Sequence, residues 1–403
     1  MIRFLTAGES HGKALTAIVE GFPANLLIDE KYINFHLSRR QMGYGRGGRM
    51  KIEKDKAEIL SGVRNQKTLG SPISLLIKNI DWENWTDSMG TGNIDPSVEN
   101  ISVPRPGHAD LTGITKFDYN DIRNSIERSS ARETAARVAA CSIARKFLSE
   151  FGIEIGSYVE NIGGVYSEKN IYVDLLENNL ENDFNAWTLS AKADKSSVRV
   201  LGKSHQEKII EKIKEAKKQG DTLGGTFVVA VSGIPAGLGS FMHYDTKLNA
   251  DLSQAIMSIN AVKGVEIGSG FQSANVFGSE SHDEITIKEN NFYRKTNRAG
   301  GIEGGISTGL PILMRAAMKP IATLMQPVET IDLKTMEPVK ARRERSDFTA
   351  VPACAVIAES MTAWIIAKYF LKKFGGDSID ETKNNFLNYK NNILERVKQN
   401  FSG

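Results

Sequence analysis

The sequence predicts an α+β protein. Short apolar runs of strand length recur along the chain, amphipathic segments of helical period stand between them, and their order is too irregular for a series of βαβ units. The 403 residues are 40% hydrophobic and 25% charged, enough apolar material for a sizeable core and unlike a disordered or membrane-embedded chain. Fifty-one Lys and Arg against 48 Asp and Glu leave a formal charge of +3. That is too little for general attraction to nucleic acid or anionic lipid, so any anion site must come from local clustering.

Taken in order, residues 15–19 read as a strand running into the Gly21/Pro23 turn, and 31–42 as a basic helix. The following YGRGGRM cannot be regular structure, because each glycine costs about 1 kcal/mol in a helix. It reads as a loop of backbone donors and positive charge. Residues 72–77 form a buried strand, 82–107 a long polar loop and 130–151 a helix with apolar Ala135, Val138, Ala139, Ile143 and Phe147. The polar, Asn-rich stretch 167–197 reads as a surface excursion. A helix stopped by Gly220 then leads into the strand TFVVAVSGI; a helix over 247–259, a strand over 312–318 and an amphipathic helix over 353–371 complete the pattern. Residues 1–372 are expected to form one domain, and 373–403 a polar, partly helical tail.

Cys141 and Cys354 lie far apart in apolar surroundings and read as buried thiols of a reducing, cytoplasmic compartment. The amino terminus lacks a signal-peptide pattern, and Pro352, Glu359 and Lys368 interrupt the most apolar stretch, so no membrane segment is expected.

Positive charge beside flexible backbone is the recurring theme. GYGRGG at 43–48 fits G-x-G-x-x-G, but a basic helix precedes it where a dinucleotide site needs a strand. Gly202-Lys203-Ser204 lacks the P-loop glycine, Ser197 standing in its place. Arg39, Arg40, Arg46 and Arg49 suit capture of a multiply anionic small molecule, since guanidinium forks match carboxylates and phosphates; the competing reading is a solvated basic face. Arg128, Ser129 and Ser130 stand at a predicted helix entry, with Glu133 at capping-box distance from Ser130. GGIEGGIS, KPIAT and RRERSDF repeat the pattern, and Asp347 in the last could equally be half of a surface ion pair. Of six histidines, His11 in GESHGKA and His108 in RPGHADL sit in loops built from glycine and charge; His36, His205, His243 and His282 have plain structural settings. No Cys/His spacing points to a metal.

GESHGKALTAIVEGFP, RRQMGYGRGGRMKIE, RPGHAD, ERSSARETAARVAA, GDTLGG, SINAVKGVEIGSGF, GGIEGGISTGLP, MKPIATL and RRERSDFTAVPACAVIAESM, in this order, resemble the chorismate synthase family. The resemblance runs from about residue 1 to 372 and is weakest over 167–197. It implies a β-α-β sandwich with antiparallel sheets around central helices, usually assembled as a homotetramer. It implies an enzyme that eliminates phosphate from 5-enolpyruvylshikimate 3-phosphate to give chorismate with the help of reduced FMN.

Carried over residue by residue, the resemblance makes His11 the acid for the leaving phosphate and His108 the acid for reduced flavin, tasks suited to a pKa of about 6.5. Asp347 is implicated in removing the C6 proton through flavin N5, with Ser10 and Ser129 or Ser130 as relay. Arg40, Arg46, Arg49, Arg105 and Arg132 match substrate-binding positions. Arg128, Ser129, Ser130, Asn260, Ala261, Gly304, Lys319, Pro320, Ile321, Ala322, Thr323 and Arg345 match flavin-contacting positions, although Ile321 and Ala322 stand where relatives often carry small polar residues. Without a nicotinamide fingerprint or extra domain, an external flavin reductant is expected, NADPH acting at most indirectly. The other function classes are RNA binding through the Arg/Gly loop, which the small net charge disfavours, and an inactive FMN-binding homologue, which intact His11, His108 and Asp347 disfavour.

Overall fold

Two antiparallel sheets enclose a layer of helices in the computed structural model, which describes residues 1–47, 54–178, 184–288, 291–343 and 347–401. Strands β1 (Arg3–Ala7) and β2 (Ala14–Glu20) precede helix α1 (Glu30–Gln41), and β3 (Ala57–Ser61) and β4 (Ile73–Lys78) complete a four-stranded sheet in the order β1-β2-β4-β3. Helices α2 (Asp110–Phe117), α3 (Arg123–Ser129) and α4 (Thr134–Ser149) follow. Then come β5 (Glu154–Ile162), β6 (Val165–Tyr166), α5 (Ala186–Ala193), α6 (Lys203–Gln219), β7 (Gly225–Ser232), α7 (Leu248–Met257), β8 (Val262–Ile267) and β9 (Ile312–Met318). The last five strands form the second sheet in the order β8-β9-β7-β5-β6. Helices α8 (Val351–Phe374), α9 (Ile379–Asn391) and α10 (Ile393–Phe401) close the chain.

Strand periodicity decides which faces are buried. In β2 and β4, Leu15, Ala17, Val19, Ile73, Leu75 and Ile77 point inward onto α4, whereas Leu5, Ile18 and Leu60 on the opposite face of the sheet are exposed. The central strands of the second sheet are buried on both faces. Ile155, Phe227 and Val229 face α8, Met314 joins the same core, and Tyr158, Val228, Ala230 and Leu313 face outward into a second core. Helices α4 and α8 pack on each other between the sheets, and their many alanines permit the close approach. Val351–Phe374 is long and apolar enough to cross a membrane, but its residues are almost all buried in this layer. The sandwich matches the α+β expectation.

Three sequence expectations need correction. Residues 167–197 are not merely a surface excursion: Tyr172, Leu176, Ala186 and Ala193 are buried over the outer face of the five-stranded sheet. The polar, Asn-rich composition hid this, because the covering apolar residues are scattered among polar ones. The helix expected over 130–151 forms as α4 with a 3-10 lead-in, but the capping box expected at its start does not. Ser130 breaks the path with an extended backbone and caps a short 3-10 turn at Ala131–Glu133, while Glu133 turns to Thr6 and Arg137 rather than closing a capping box. Finally, a boundary at 372 falls inside α8, and the tail is docked: Phe386 of α9 packs on Phe370 and Phe374, and the Ile379 amide donates to the Ala24 carbonyl.

Candidate active site

A cavity of about 530 Å³ opens where the N-terminus of α8, the end of α1 and the loops after α7 and β9 meet. Its polar lining comes from Arg40, Arg46, His108, Ser129, Thr134, Asn260, Lys263, Lys319 and Asp347; Ile259, Val262, Met318 and Ile357 supply an apolar wall. Cys354 also lines it, but burial pushes its thiol up to about 12, so no thiolate is available near neutrality.

His108 stands just ahead of α2 and is held by that helix's first residue. Asp110 is fully buried, its Oδ1 is 2.5 Å from His108 Nδ1, and it accepts bonds from the Arg105 backbone amide and Nε at 3.0 and 2.8 Å. Burial alone would raise the Asp110 carboxyl; the hydrogen bonds from His108 and Arg105 prevail and hold it well below the usual carboxylate range. Arg105 therefore serves the histidine and its carboxylate and does not line the cavity.

The arginines of the basic helix divide by face. Arg39 points into the protein, where its guanidinium meets both oxygens of fully buried Glu359 at 2.7 and 3.0 Å, together with Arg145 and Arg199. Arg40 points to the cavity, anchored by Thr134 Oγ1 at 3.0 Å, the Ala131 carbonyl at 3.0 Å and Asp55 Oδ2 at 3.2 Å. Burial pushes this guanidinium down to about 10, opposed by the Asp55 charge, so it stays cationic at neutral pH. Asp55 also pairs with Arg132, whose Nε donates to Asn79 Oδ1 at 3.0 Å. Asn79 in turn donates to the Gly12 and Glu9 carbonyls at 2.6 and 3.1 Å. The loop bearing Ser10 and His11 is thus tied to Arg40 through one buried polar chain.

His11 itself stands outside the cavity lining. Its ring stacks on Trp85, with centroids 3.9 Å apart, and its Nδ1 is 2.7 Å from Glu127 Oε1. The Ser130 hydroxyl donates to Ser10 Oγ at 3.1 Å, linking this loop to Ser129 on the cavity wall. Asp347 closes the opposite side: the Gly47 amide donates to its Oδ1 at 2.5 Å, and Arg46 Nη1 lies 3.2 Å from Oδ2. The glycines allow that loop to fold back on the carboxylate, with Gly43 and Gly45 at φ of 134° and 90°.

Of the flavin-matched positions, Ser129, Asn260, Ala261 and Lys319–Ala322 line the cavity. Ala261 holds φ at 66°, unusual for a residue with a Cβ, and its carbonyl accepts the Lys319 amide at 2.9 Å. Asn260 Nδ2 donates to the Ser129 carbonyl at 2.9 Å, and this pair separates the cavity from a second one bounded by Arg128 and Arg137. Ser130 and Thr323 are not among the lining residues. Gly304, in the turn between strands Ile302–Glu303 and Ile306–Ser307, does not reach it. Arg49 and Arg345 lie outside the described residues.

A sequence profile described as chorismate synthase matches residues 2–371. The chain belongs to the chorismate synthase family. A relative named chorismate synthase from Chloroherpeton thalassium is 57% identical over 393 residues, covering 96% of this chain and 99% of the relative. Another of that name, from Aquifex aeolicus, is 51% identical, covering 97% and 98%. A crystal structure of chorismate synthase aligns with a TM-score of 0.78 at 42% identity, covering 98% of each chain. Enzymes of the chorismate synthase family are lyases of aromatic biosynthesis that convert 5-enolpyruvylshikimate 3-phosphate to chorismate and phosphate and use reduced flavin, and this lyase reaction is the chain's function.

Sequence reasoning missed the groups that serve the chorismate synthase histidines and arginines. Asp110 was visible two residues after His108 but carried no helical or strand signal of its own. Glu127, Trp85, Asp55 and Asn79 come from distant segments, and only the fold brings them to His11, Arg40 and Arg132.

Proposed function

We propose that the cavity bounded by Arg40, Arg46, His108 and Asp347 is where 5-enolpyruvylshikimate 3-phosphate loses its phosphate, with reduced FMN as the bound cofactor. One observation carries this reading: two guanidinium groups, an imidazole and a carboxylate from remote segments converge on one space of about 530 Å³, within the usual range for a small-molecule pocket. The substrate's phosphate and two carboxylates match the guanidinium forks. The cavity also fits a flat, apolar-faced ring with a polar edge, since Ile259, Val262, Met318 and Ile357 form a wall beside the Asn260–Ala261 and 319–322 backbone. When bound, reduced FMN supplies a transient electron that eases departure of the phosphate, with no net redox change.

The chain's own groups then bind the substrate and move its protons. Arg46 and Arg40 hold the anionic groups, with Arg132 and Arg105 as inner supports; Arg49 joins them on the resemblance alone. His11 gives a proton to the leaving phosphate, Ser10 orienting that loop. His108 keeps a proton at the cavity edge, its Nδ1 directed at Asp110. Asp347 receives the proton lost from C6 as the C–O bond to phosphate breaks and the new double bond forms. Ser129, Asn260, Ala261, Lys319, Pro320, Ile321 and Ala322 are the flavin contacts supported by geometry. Arg128, Ser130, Gly304, Thr323 and Arg345 rest on the resemblance.

We also infer an external flavin reductant, with residues 1–372 and the docked α9 working as one unit. The two buried free cysteines fit a cytoplasmic location, and exposed Leu5, Ile18 and Leu60 on the open sheet face fit assembly into a homotetramer. The test is anaerobic turnover with reduced FMN beside oxidised FMN plus NADPH. Chorismate should appear in the first arm only; turnover with oxidised FMN and no reductant would refute the cofactor assignment.

A further inference from the structure

Glu127, two residues before the end of α3, has a side chain only 3% exposed, yet both its oxygens are committed to one residue. Oε2 accepts the His11 backbone N–H at 2.7 Å, and Oε1 lies 2.7 Å from His11 Nδ1. The Glu127 carbonyl also accepts the Ser10 amide at 3.1 Å, so side chain and backbone of one residue hold the Ser10–His11 turn. A backbone amide can only donate and an ionised carboxylate can only accept. The hydrogen between Oε1 and Nδ1 therefore belongs to the imidazole. Trp85 fixes the ring from its face, stacked at 27°, while Glu127 fixes it by its edge. Nε2 makes no hydrogen bond to the described residues and is left as the exchanging atom.

We propose that Glu127 is the positioning residue of His11, holding the imidazole in its Nδ1–H tautomer so that Nε2 is the nitrogen that delivers the proton. This rests on the reading of His11 as the acid for the leaving phosphate. On delivery, the Nε2–H bond breaks, a phosphate O–H bond forms, and the imidazolium returns to the neutral Nδ1–H form that Glu127 favours. The carboxylate thereby stabilises the charged state before transfer and selects the tautomer after it.

Glu127→Gln isolates this role with almost no change of shape. The amide oxygen must stay on the His11 N–H, which turns the NH₂ group toward Nδ1 and forces the proton to Nε2. Solid-state ¹⁵N spectra of the full-length, [¹⁵N]histidine-labelled protein, with the His11 signal assigned by its loss in His11→Asn, read the tautomer directly. Wild type should show neutral Nδ1–H and Glu127→Gln should show Nε2–H. Glu127→Asp, still acceptor-only, should keep Nδ1–H and recover part of the activity. In Glu127→Gln, kcat should fall with KM for the phosphorylated substrate within about threefold, since a wrong tautomer in serine proteases costs about 10⁴-fold in kcat. A wild-type Nε2–H signal, or lost activity in Glu127→Gln with the tautomer unchanged, overturns the proposal, and the wild-type spectrum decides even if the variant does not fold. If the tautomer reverses as expected but His11→Asn turns over normally, it is the acid role of His11 that fails.

Discussion

Asp110 and Arg105 are joined by three hydrogen bonds, and the oxygen that takes the Arg105 Nη2 at 3.0 Å also lies 2.5 Å from His108 Nδ1. The carboxylate is thus a shared buried anchor for a cation and a histidine. Asp110→Ala should cost about 3–5 kcal/mol in urea unfolding, because it strands the buried guanidinium. The linkage has a definite sign. The folded carboxyl titrates below its unfolded value, so its stabilisation is complete above about pH 4 and drains away as pH falls below that. The acid unfolding curve of Asp110→Asn should lack this component; an unchanged acid limb would refute it.

His36 provides a second pH signature in a higher window. Burial, followed by the charges of Arg145 and Arg39, lowers its pKa well below the ordinary value, against the opposing pull of Glu359. Tyr32, Phe35 and Trp187 pack around the ring. The folded state keeps His36 neutral while the unfolded chain takes up a proton below about pH 6.5. Stability is then undiminished above that pH and falls below it, by up to about 1.4 kcal/mol per pH unit. His36→Gln should flatten the slope of unfolding free energy between pH 6.5 and 5. Equal slopes in the two proteins would exclude His36 as the titrating group.

What the sequence made legible follows from the range of each interaction. The strands expected over 72–77 and 312–318 form because the apolar pattern is a local property. His108 was legible as a candidate through its Gly/Pro loop with a neighbouring arginine, and Asp347 through the arginine-rich segment that precedes it. The helix start at Ser130 was legible too, but the loss of its capping box was not, because Glu133 is taken by Thr6 and Arg137 and the Ser130 hydroxyl by Ser10. Residues 167–197 misled for the opposite reason: the apolar residues that cover the sheet, Tyr172, Leu176, Ala186 and Ala193, are scattered among polar ones. Glu127 and Asp55 were invisible, since their meaning lies in partners 116 and 77 residues away, His11 and Arg132.

Arg40 and Arg46 both line the cavity but should respond differently to Lys. Arg40 uses Nε and both terminal nitrogens in buried bonds, which a single ammonium cannot reproduce. Arg40→Lys should destabilise the protein by about 2 kcal/mol, besides weakening turnover. Arg46→Lys keeps a charge near Asp347 and should change stability by less than about 1 kcal/mol while raising KM about tenfold, the loss of roughly one charge-assisted bond to the substrate. Urea unfolding and steady-state kinetics on the two variants check this. An unchanged KM in Arg46→Lys would remove it from substrate binding.

In the proposed mechanism, Asp347 is the residue on which the proton inventory turns. Its Oδ1 takes the Gly47 amide from 300 residues away, and Phe348 donates its own amide to the Gly45 carbonyl at 2.8 Å, so loop and carboxylate are fixed by two backbone bonds. Asp347→Asn can keep the Gly47 bond through its amide oxygen while losing the charge that faces Arg46 and the capacity to accept a proton. The fold should therefore survive, and FMN affinity should change little. Turnover should fall by about 10²–10⁴, the usual contribution of a placed base. With substrate deuterated at C6, the isotope effect on kcat should grow in the variant, because removal of that proton becomes the slow step. A variant with wild-type turnover, or one slowed without any larger isotope effect, would assign Asp347 to holding the glycine loop rather than to the C6 proton.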